Sequence, residues 1–239
     1  MENYLIIDTE TTGEITKPLC YDVGYAICNE KGEIFERKSF VVAEVFIDLK
    51  EMMAEAFYSA KIPQYWEDIK NGKRTIKTLW NIRKEILADM KKYKVKKVGA
   101  YNINFDKRAL NNSLRYCTKS SVRWFFPFGT DYFCIWGMAC NSLMNTKTFV
   151  EFAVKNGLVS DSDNLVTSAE SCYKYITNKV DFIESHTALE DVEIEVDIFA
   201  KCMEIDKTLL ELKPNPSCWR IPQRKRKEID LEETFTERG

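Results

Sequence analysis

The chain has 239 residues, 45% of them hydrophobic and 13% aromatic, enough to bury one sizeable core, and its 35 basic and 37 acidic residues leave a formal charge of −2. That balance excludes the broad positive field that drives general coating of nucleic acid, so any contact with a polyanion has to be local. Eight scattered cysteines without a C-x-x-C pair, beside a single histidine, speak against a zinc cluster. The N-terminus lacks the basic start and apolar run of a secretory signal, and no segment reaches the roughly 18 apolar residues of a membrane span, so a soluble, reduced, cytoplasmic protein with no membrane partner is expected.

In chain order, Tyr4 to Ile7 is a short apolar run that reads as a buried strand ending in Asp8-Thr9-Glu10-Thr11-Thr12-Gly13. Tyr21 to Cys28 and Ile34 to Val42 read as two further strands joined by a hairpin turn at Asn29-Glu30-Lys31-Gly32, which makes a three-stranded meander. From Glu44 to Met90 the apolar spacing becomes helical, with interruptions near Pro63 and at Asn71-Gly72, and predicts two or three helices. A lysine-rich stretch (Lys91, Lys92, Lys94, Lys96, Lys97) leads into a strand over Val98 to Tyr101, and Asp106 to Cys117 reads as a helix. Those lysines either flank a cleft, where they would hold phosphates, or form a solvated helix end. Val122 to Phe128 reads as a strand before a helix near Asp131, and Ala188 to Leu212 as a helix with a mostly apolar stripe. Beyond Leu212, Lys213-Pro214-Asn215-Pro216 and a basic block followed by an acidic one read as a solvated, weakly ordered tail. The expected division is a domain over 1–212 with a helical insert at about 44–93, and a charged tail over 213–239.

Residues two apart on a strand share a face, so Asp8 and Glu10 would present their carboxylates side by side, where they repel unless a cation lies between them. A D-x-E at a strand end is by itself common on solvated surfaces. Asp106 follows Gly99-Ala100-Tyr101-Asn102-Ile103-Asn104-Phe105, and an aspartate at a helix start needs no chemical duty. His186 and Asp191 are five apart, which on a regular helix sets them roughly 140° from each other, so they can serve one site only if His186 precedes the helix, with Ser185 or Thr187 as cap.

Taken in order, D-x-E-T-T-G on the first strand, N-x-x-F-D near mid-chain and H-x-A-x-x-D near the end resemble the DEDD exonucleases of the ribonuclease-H-like superfamily. The histidine marks the DEDDh branch, which includes the proofreading subunit of bacterial DNA polymerase III, exonuclease X, ribonuclease T and oligoribonuclease. The resemblance spans roughly residues 4 to 205 and implies an α/β fold, a ribonuclease-H-like mixed sheet with a three-stranded antiparallel meander plus parallel strands flanked by helices. It implies that Asp8, Glu10, Asp106 and Asp191 are the acidic metal ligands and His186 the base, and that Thr9, Thr12, Gly13, Asn102 and Phe105 contact the terminal nucleotide. Asp22-Val23-Gly24 stands where many relatives carry Glu-Ile-Gly, and neither the insert nor the tail belongs to the shared pattern.

The implied reaction is 3′→5′ removal of nucleoside monophosphates, from DNA in the first instance. Two cations about 3.5–4 Å apart would stabilise charge on the attacking and departing oxygens. All-oxygen ligands favour Mg²⁺, with Mn²⁺ a substitute. Asp8 would bridge the two ions, with Glu10 and Asp191 completing one site and Asp106 holding the other, while His186 accepts a proton near neutral pH. The implied partners are single-stranded nucleic acid or 3′ ends, and a polymerase or other replication protein if the enzyme proofreads. The alternatives are an exoribonuclease of the same family, against which Thr11-Thr12 argues mildly where oligoribonuclease carries Met-Thr, and a catalytically silent nucleic-acid-binding module or polymerase accessory subunit.

Overall fold

Alternation along the first strand sets the frame of the molecule. Leu5 and Ile7 fall in one apolar cluster and Tyr4 and Ile6 in a second, as residues of opposite parity on a strand must. Strand β1 (Asn3–Thr12) is therefore covered on both faces and sits inside the sheet. The computed structural model, which describes residues 2–236, shows a six-stranded sheet in the order β4-β3-β2-β1-β5-β6. β1, β2 (Leu19–Asn29) and β3 (Ile34–Val42) form the expected antiparallel meander, and the turn at Asn29–Gly32 is closed by a bond from Gly32 N to Asn29 O with Gly32 at φ +79°. β4 (Thr75–Lys77) runs parallel to β3, β5 (Lys97–Ala100) parallel to β1, and β6 (Asp131–Cys134) parallel to β5. This is the mixed α/β sheet that the resemblance implies.

Between β3 and β5 lie α1 (Ala43–Phe46), α2 (Lys50–Ala54), a 3-10 turn (Ser59–Lys61), α3 (Ile62–Lys70) and α4 (Leu79–Lys92). The span expected to hold two or three helices holds four and is also broken by β4, whose three residues are too few to show a period of two. α5 (Ile103–Cys117) starts three residues before the expected helix. Val122 to Phe128 is not a strand: Phe125 and Phe126 are buried, the Phe125 N–H donates to Asn111 Oδ1 (2.8 Å), and its carbonyl accepts from Arg83 Nε (2.6 Å). Side chains satisfy that backbone where a neighbouring strand would otherwise be needed. The strand begins instead at Asp131, where a helix was expected, and α6 (Ile135–Asn141) follows it. α7 (Lys147–Lys155), α8 (Ala169–Thr177) and α9 (Ala188–Ile205) complete the second face with a 3-10 turn at Lys207–Glu211.

The segment read as a solvated tail is corrected over Arg220–Thr236, which forms α10. Ile229 is buried in the second apolar cluster, and buried Gln223 bonds both Leu165 N (2.9 Å) and Leu165 O (3.0 Å). A few apolar and amide positions in a charge-rich segment are enough to dock it. Residues 237–239 of the tail expectation lie outside the described residues. The lysine run Lys91–Lys97 sits at the entry of β5, whose Lys97 pairs with Tyr4 at the start of β1, so these lysines lie at the opposite end of the sheet from Asp8 and Glu10. Among the described residues no helix is long and apolar enough to cross a membrane.

Candidate active site

Parity again decides which side chains meet. Asp8 and Glu10 share the face of Tyr4 and Ile6, the face covered by α9, and Asp191 on the first turns of α9 reaches them. Carboxylate oxygens of Asp8, Glu10 and Asp191 all lie within 4.8 Å of one another. The approach depends on Gly24, the cross-strand partner of Asp8: a Cβ there would lie 2.4 Å from the Ala188 carbonyl carbon and 2.5 Å from Leu189 N, so only a glycine lets the start of α9 rest on β2. The helix is then fixed by Asp22, the cross-strand partner of Glu10, whose Oδ2 accepts from Ala188 N (3.0 Å).

Asp106 arrives from the other face. It sits in the first turn of α5, buried, and its Oδ1 accepts from Thr9 N (3.1 Å) and Thr9 Oγ1 (2.9 Å). It is not one of the Asp8–Glu10–Asp191 trio, though among the neighbouring carboxylates it raises the Asp8 pKa most. Burial, reinforced by the neighbouring carboxylates, pushes Asp8 well above the usual carboxylate range and raises Glu10 to about 8 and Asp191 to about 8. Burial alone raises Asp106, to about 7, against the bonds from Thr9. Among the described residues Asp191 Oδ1 has no hydrogen-bond partner. Crowded hard oxygens that repel one another, one of them buried and unsatisfied, suit a hard divalent cation such as Mg²⁺.

His186 does precede the helix, as the spacing required, in a left-handed backbone conformation (φ 50°). Its ring stacks on Tyr58 at 4.5 Å and 13°, and Lys61 bonds the Ser185 carbonyl beside it. It belongs to a second group with Glu170 and Glu184, with Nδ1 3.9 Å from Glu184 Oε2. Burial and then Lys61 hold its pKa below the usual imidazole value against the pull of Glu170, which favours the neutral ring. Thr187, expected as a possible cap, donates its hydroxyl to Glu190 Oε2 (2.6 Å), and the capping acceptor is the distant Asp22.

The other candidates are placed as follows. The hydroxyls of Thr9 and Thr12 are committed to Asp106 and to Met52 O (2.6 Å), and Gly13 is exposed at φ +83°. Asn102 is exposed immediately before α5, and Phe105 is half-buried beneath the Arg108 guanidinium. Sequence reasoning missed four residues. Glu195, one helical turn beyond Asp191, is buried with Oε2 unpaired among the described residues, and burial, then the charge of Asp106, raises its pKa well above the usual value. A glutamate inside an apolar stripe was the available signal. Glu184, Tyr58 and Lys61 carried none, because the insert that brings the last two over His186 has no local pattern tied to the site.

No family model matches the chain, and no curated protein matches it by sequence. The fold is that of the ribonuclease-H-like class. Solved structures with this arrangement include the zinc-bound complex of E. coli exonuclease I with single-stranded DNA (TM-score 0.54, 12% identity, 88% of this chain and 42% of that one). E. coli exonuclease I bound to a dA16 oligonucleotide gives a TM-score of 0.54 at 13% identity over the same shares. The chain thus spans less than half the length of these structures, and at such identity the likeness establishes the fold alone.

Proposed function

We propose that the protein is a divalent-metal-dependent 3′→5′ exonuclease acting on single-stranded DNA and releasing nucleoside monophosphates. The observation that carries this reading is the convergence of Asp8, Glu10 and Asp191 within 4.8 Å, with buried Asp106 acting on Asp8 and His186 on the segment leading into α9. The DNA-bound state of the similarly folded exonuclease I structures supports the choice of polymer.

In this reading Asp8, Glu10, Asp106 and Asp191 hold two Mg²⁺ ions, with Mn²⁺ as a substitute. The bound cations supply charge stabilisation at the attacking and departing oxygens of the phosphodiester. Thr9 holds Asp106 in place by two bonds, and Gly13 with the neighbouring backbone, Asn102 and Phe105 frames the terminal nucleotide. His186 accepts the proton of the attacking water; Tyr58 orients its ring and Lys61 keeps it unprotonated.

The test is digestion of end-labelled single-stranded DNA, duplex DNA with a recessed 3′ end and matched RNA, in Mg²⁺ or EDTA, by wild type and Asp8→Ala. Stepwise Mg²⁺-dependent loss from the 3′ end of DNA, absent in the variant, is expected. Cleavage of RNA alone would move the reading to an exoribonuclease, and no cleavage of any substrate would leave a binding module.

A further inference from the structure

Some cations of this nearly neutral chain are neutralised in place, for example Lys73 by Glu190, Arg74 by Asp22 and Lys77 by Glu85. One stretch instead gathers cations with almost no acid among them. From Asn104 to Phe128 the sequence carries Lys107, Arg108, Arg115, Lys119 and Arg123 and a single acid, Asp106, which is buried. Among the described residues, none of these five cations forms an ion pair.

Helical geometry gathers part of this charge into a row. Asn104, Arg108 and Arg115 are exposed on α5, with Lys107 and Asn112 half-buried, and together with Trp124 they line a groove on the surface. The row starts two residues before Asp106 and runs about 16 Å along the helix, at about 1.5 Å per residue. Its far end is Trp124, 61% exposed and held against the Arg115 guanidinium at 5.1 Å. The exposure of that indole is built in: the next two residues, Phe125 and Phe126, are buried, and Asn111 and Arg83 pin the backbone of Phe125. Unpaired cations followed by a displayed aromatic are what a single strand requires, phosphates along the row and a base against the ring.

We propose that this face of α5 with Trp124 is the track on which the single strand upstream of the scissile end lies, its 3′ end at Asp106 and its 5′ portion passing Arg108 and Arg115 to stack on Trp124. This deepens the exonuclease reading and rests on it for the polarity of the strand. Charge complementarity selects a polyanion, and the exposed indole selects one with bases.

The experiment measures binding of fluorescein-labelled dT20 and dT3 in EDTA across a salt series, and hydrolysis of both in Mg²⁺. The proteins are wild type, Arg108→Ala/Arg115→Ala, Trp124→Ala and, as a control at the other end of the sheet, Lys91→Ala/Lys94→Ala. All the substituted side chains are exposed, so folding is checked simply by circular dichroism. The arginine pair should lower the slope of log K against log salt by about 1.4, at about 0.7 for each phosphate that is no longer neutralised. Trp124→Ala should weaken dT20 by about tenfold, dT3 should be little affected by either, and the lysine control should be unchanged. Equal dT20 affinity and slope in wild type and both track variants would overturn the proposal, as would polyglutamate competing as well as dT20. If the track variants lose dT20 binding while the wild type hydrolyses nothing, the track stands and the exonuclease reading falls; hydrolysis with unaltered dT20 binding gives the reverse.

Discussion

Replacing Arg74 by methionine tests how the molecule holds α9 against the sheet. Arg74 is fully buried; Nη1 donates to Asp22 Oδ2 (3.0 Å) and Ser39 Oγ (2.6 Å), Nε to Asp68 Oδ2 (3.0 Å) and Nη2 to Glu190 Oε2 (2.6 Å). Asp68 and Glu190 are partly solvated and Glu190 retains Lys73, so their loss costs little. Asp22 is fully buried and would keep only Tyr65 Oη, Ser39 Oγ and Ala188 N as donors. Stranding such a charge costs about 3–5 kcal/mol. Burial already holds the Asp22 carboxyl above its usual range in spite of Arg74, so proton uptake sets a ceiling and the lower end of that span applies at acid pH. At about 2–4 °C per kcal/mol for a chain of this size, the Tm should fall by about 6–20 °C. Urea unfolding followed by circular dichroism at pH 7.5 is the assay, with Arg74→Met/Asp22→Asn as partner variant. The double variant should regain more than about 1 kcal/mol by removing the stranded charge. A single-variant loss under about 1 kcal/mol, or no recovery in the double, would refute the argument.

Four further outcomes follow from the same geometry. Asp8→Asn should lower Mg²⁺-dependent turnover by more than about a hundredfold, beyond the cost of losing a residue that merely supports a ligand; turnover within tenfold of wild type would remove Asp8 from the metal set. The folded-state pKa values of Glu10 and Asp191 (about 8) and Asp106 (about 7) lie above their unfolded values near 4, so their contribution to stability is complete below pH 4 and is lost as pH rises towards 8. In EDTA the protein should therefore unfold more readily at pH 8 than at pH 5, and Mg²⁺ should stabilise it more at pH 8; a flat EDTA profile in thermal melts would contradict this. The acid limb of kcat/KM should have its midpoint below 6.5, and Lys61→Met should move it upward, because a positive charge that depresses the His186 pKa is gone; an unmoved limb would exclude His186 as the titrating base. Gly24→Ala should cost about 3 kcal/mol or more in urea unfolding, since the added methyl meets backbone that cannot shift without displacing α9, and a cost under about 0.5 kcal/mol would show that α9 is free to yield.

What the sequence disclosed was whatever depends on local period. Alternation put Asp8 and Glu10 on one face, and the angle argument required His186 to lie ahead of its helix, where it is found. Pairings across long stretches of chain left no trace in it: the Thr9–Asp106 bonds span 97 residues, Lys61 to Ser185 spans 124 and Asp22 to Ala188 spans 166. The same holds for β4, which exists because β3 offers it an edge, and for α10, whose charge blocks hid the few positions that dock. The Lys91–Lys97 run was conspicuous in sequence yet lies at the wrong end of the sheet, while the cations of α5 were diluted among apolar residues and became a row only on a helix.

Those long-range pairings also govern when the centre comes into being. Interactions between distant segments close late in folding because the loop entropy must be met first. The stack of Tyr58 on His186, the Lys61 bond and the Asp22 cap join the middle of the chain and its early strands to a segment near its end. A molecule still emerging or refolding can carry a formed meander and an intact α5 while Asp191 and His186 have yet to meet the end of β1, so the candidate site assembles only when these distant segments close.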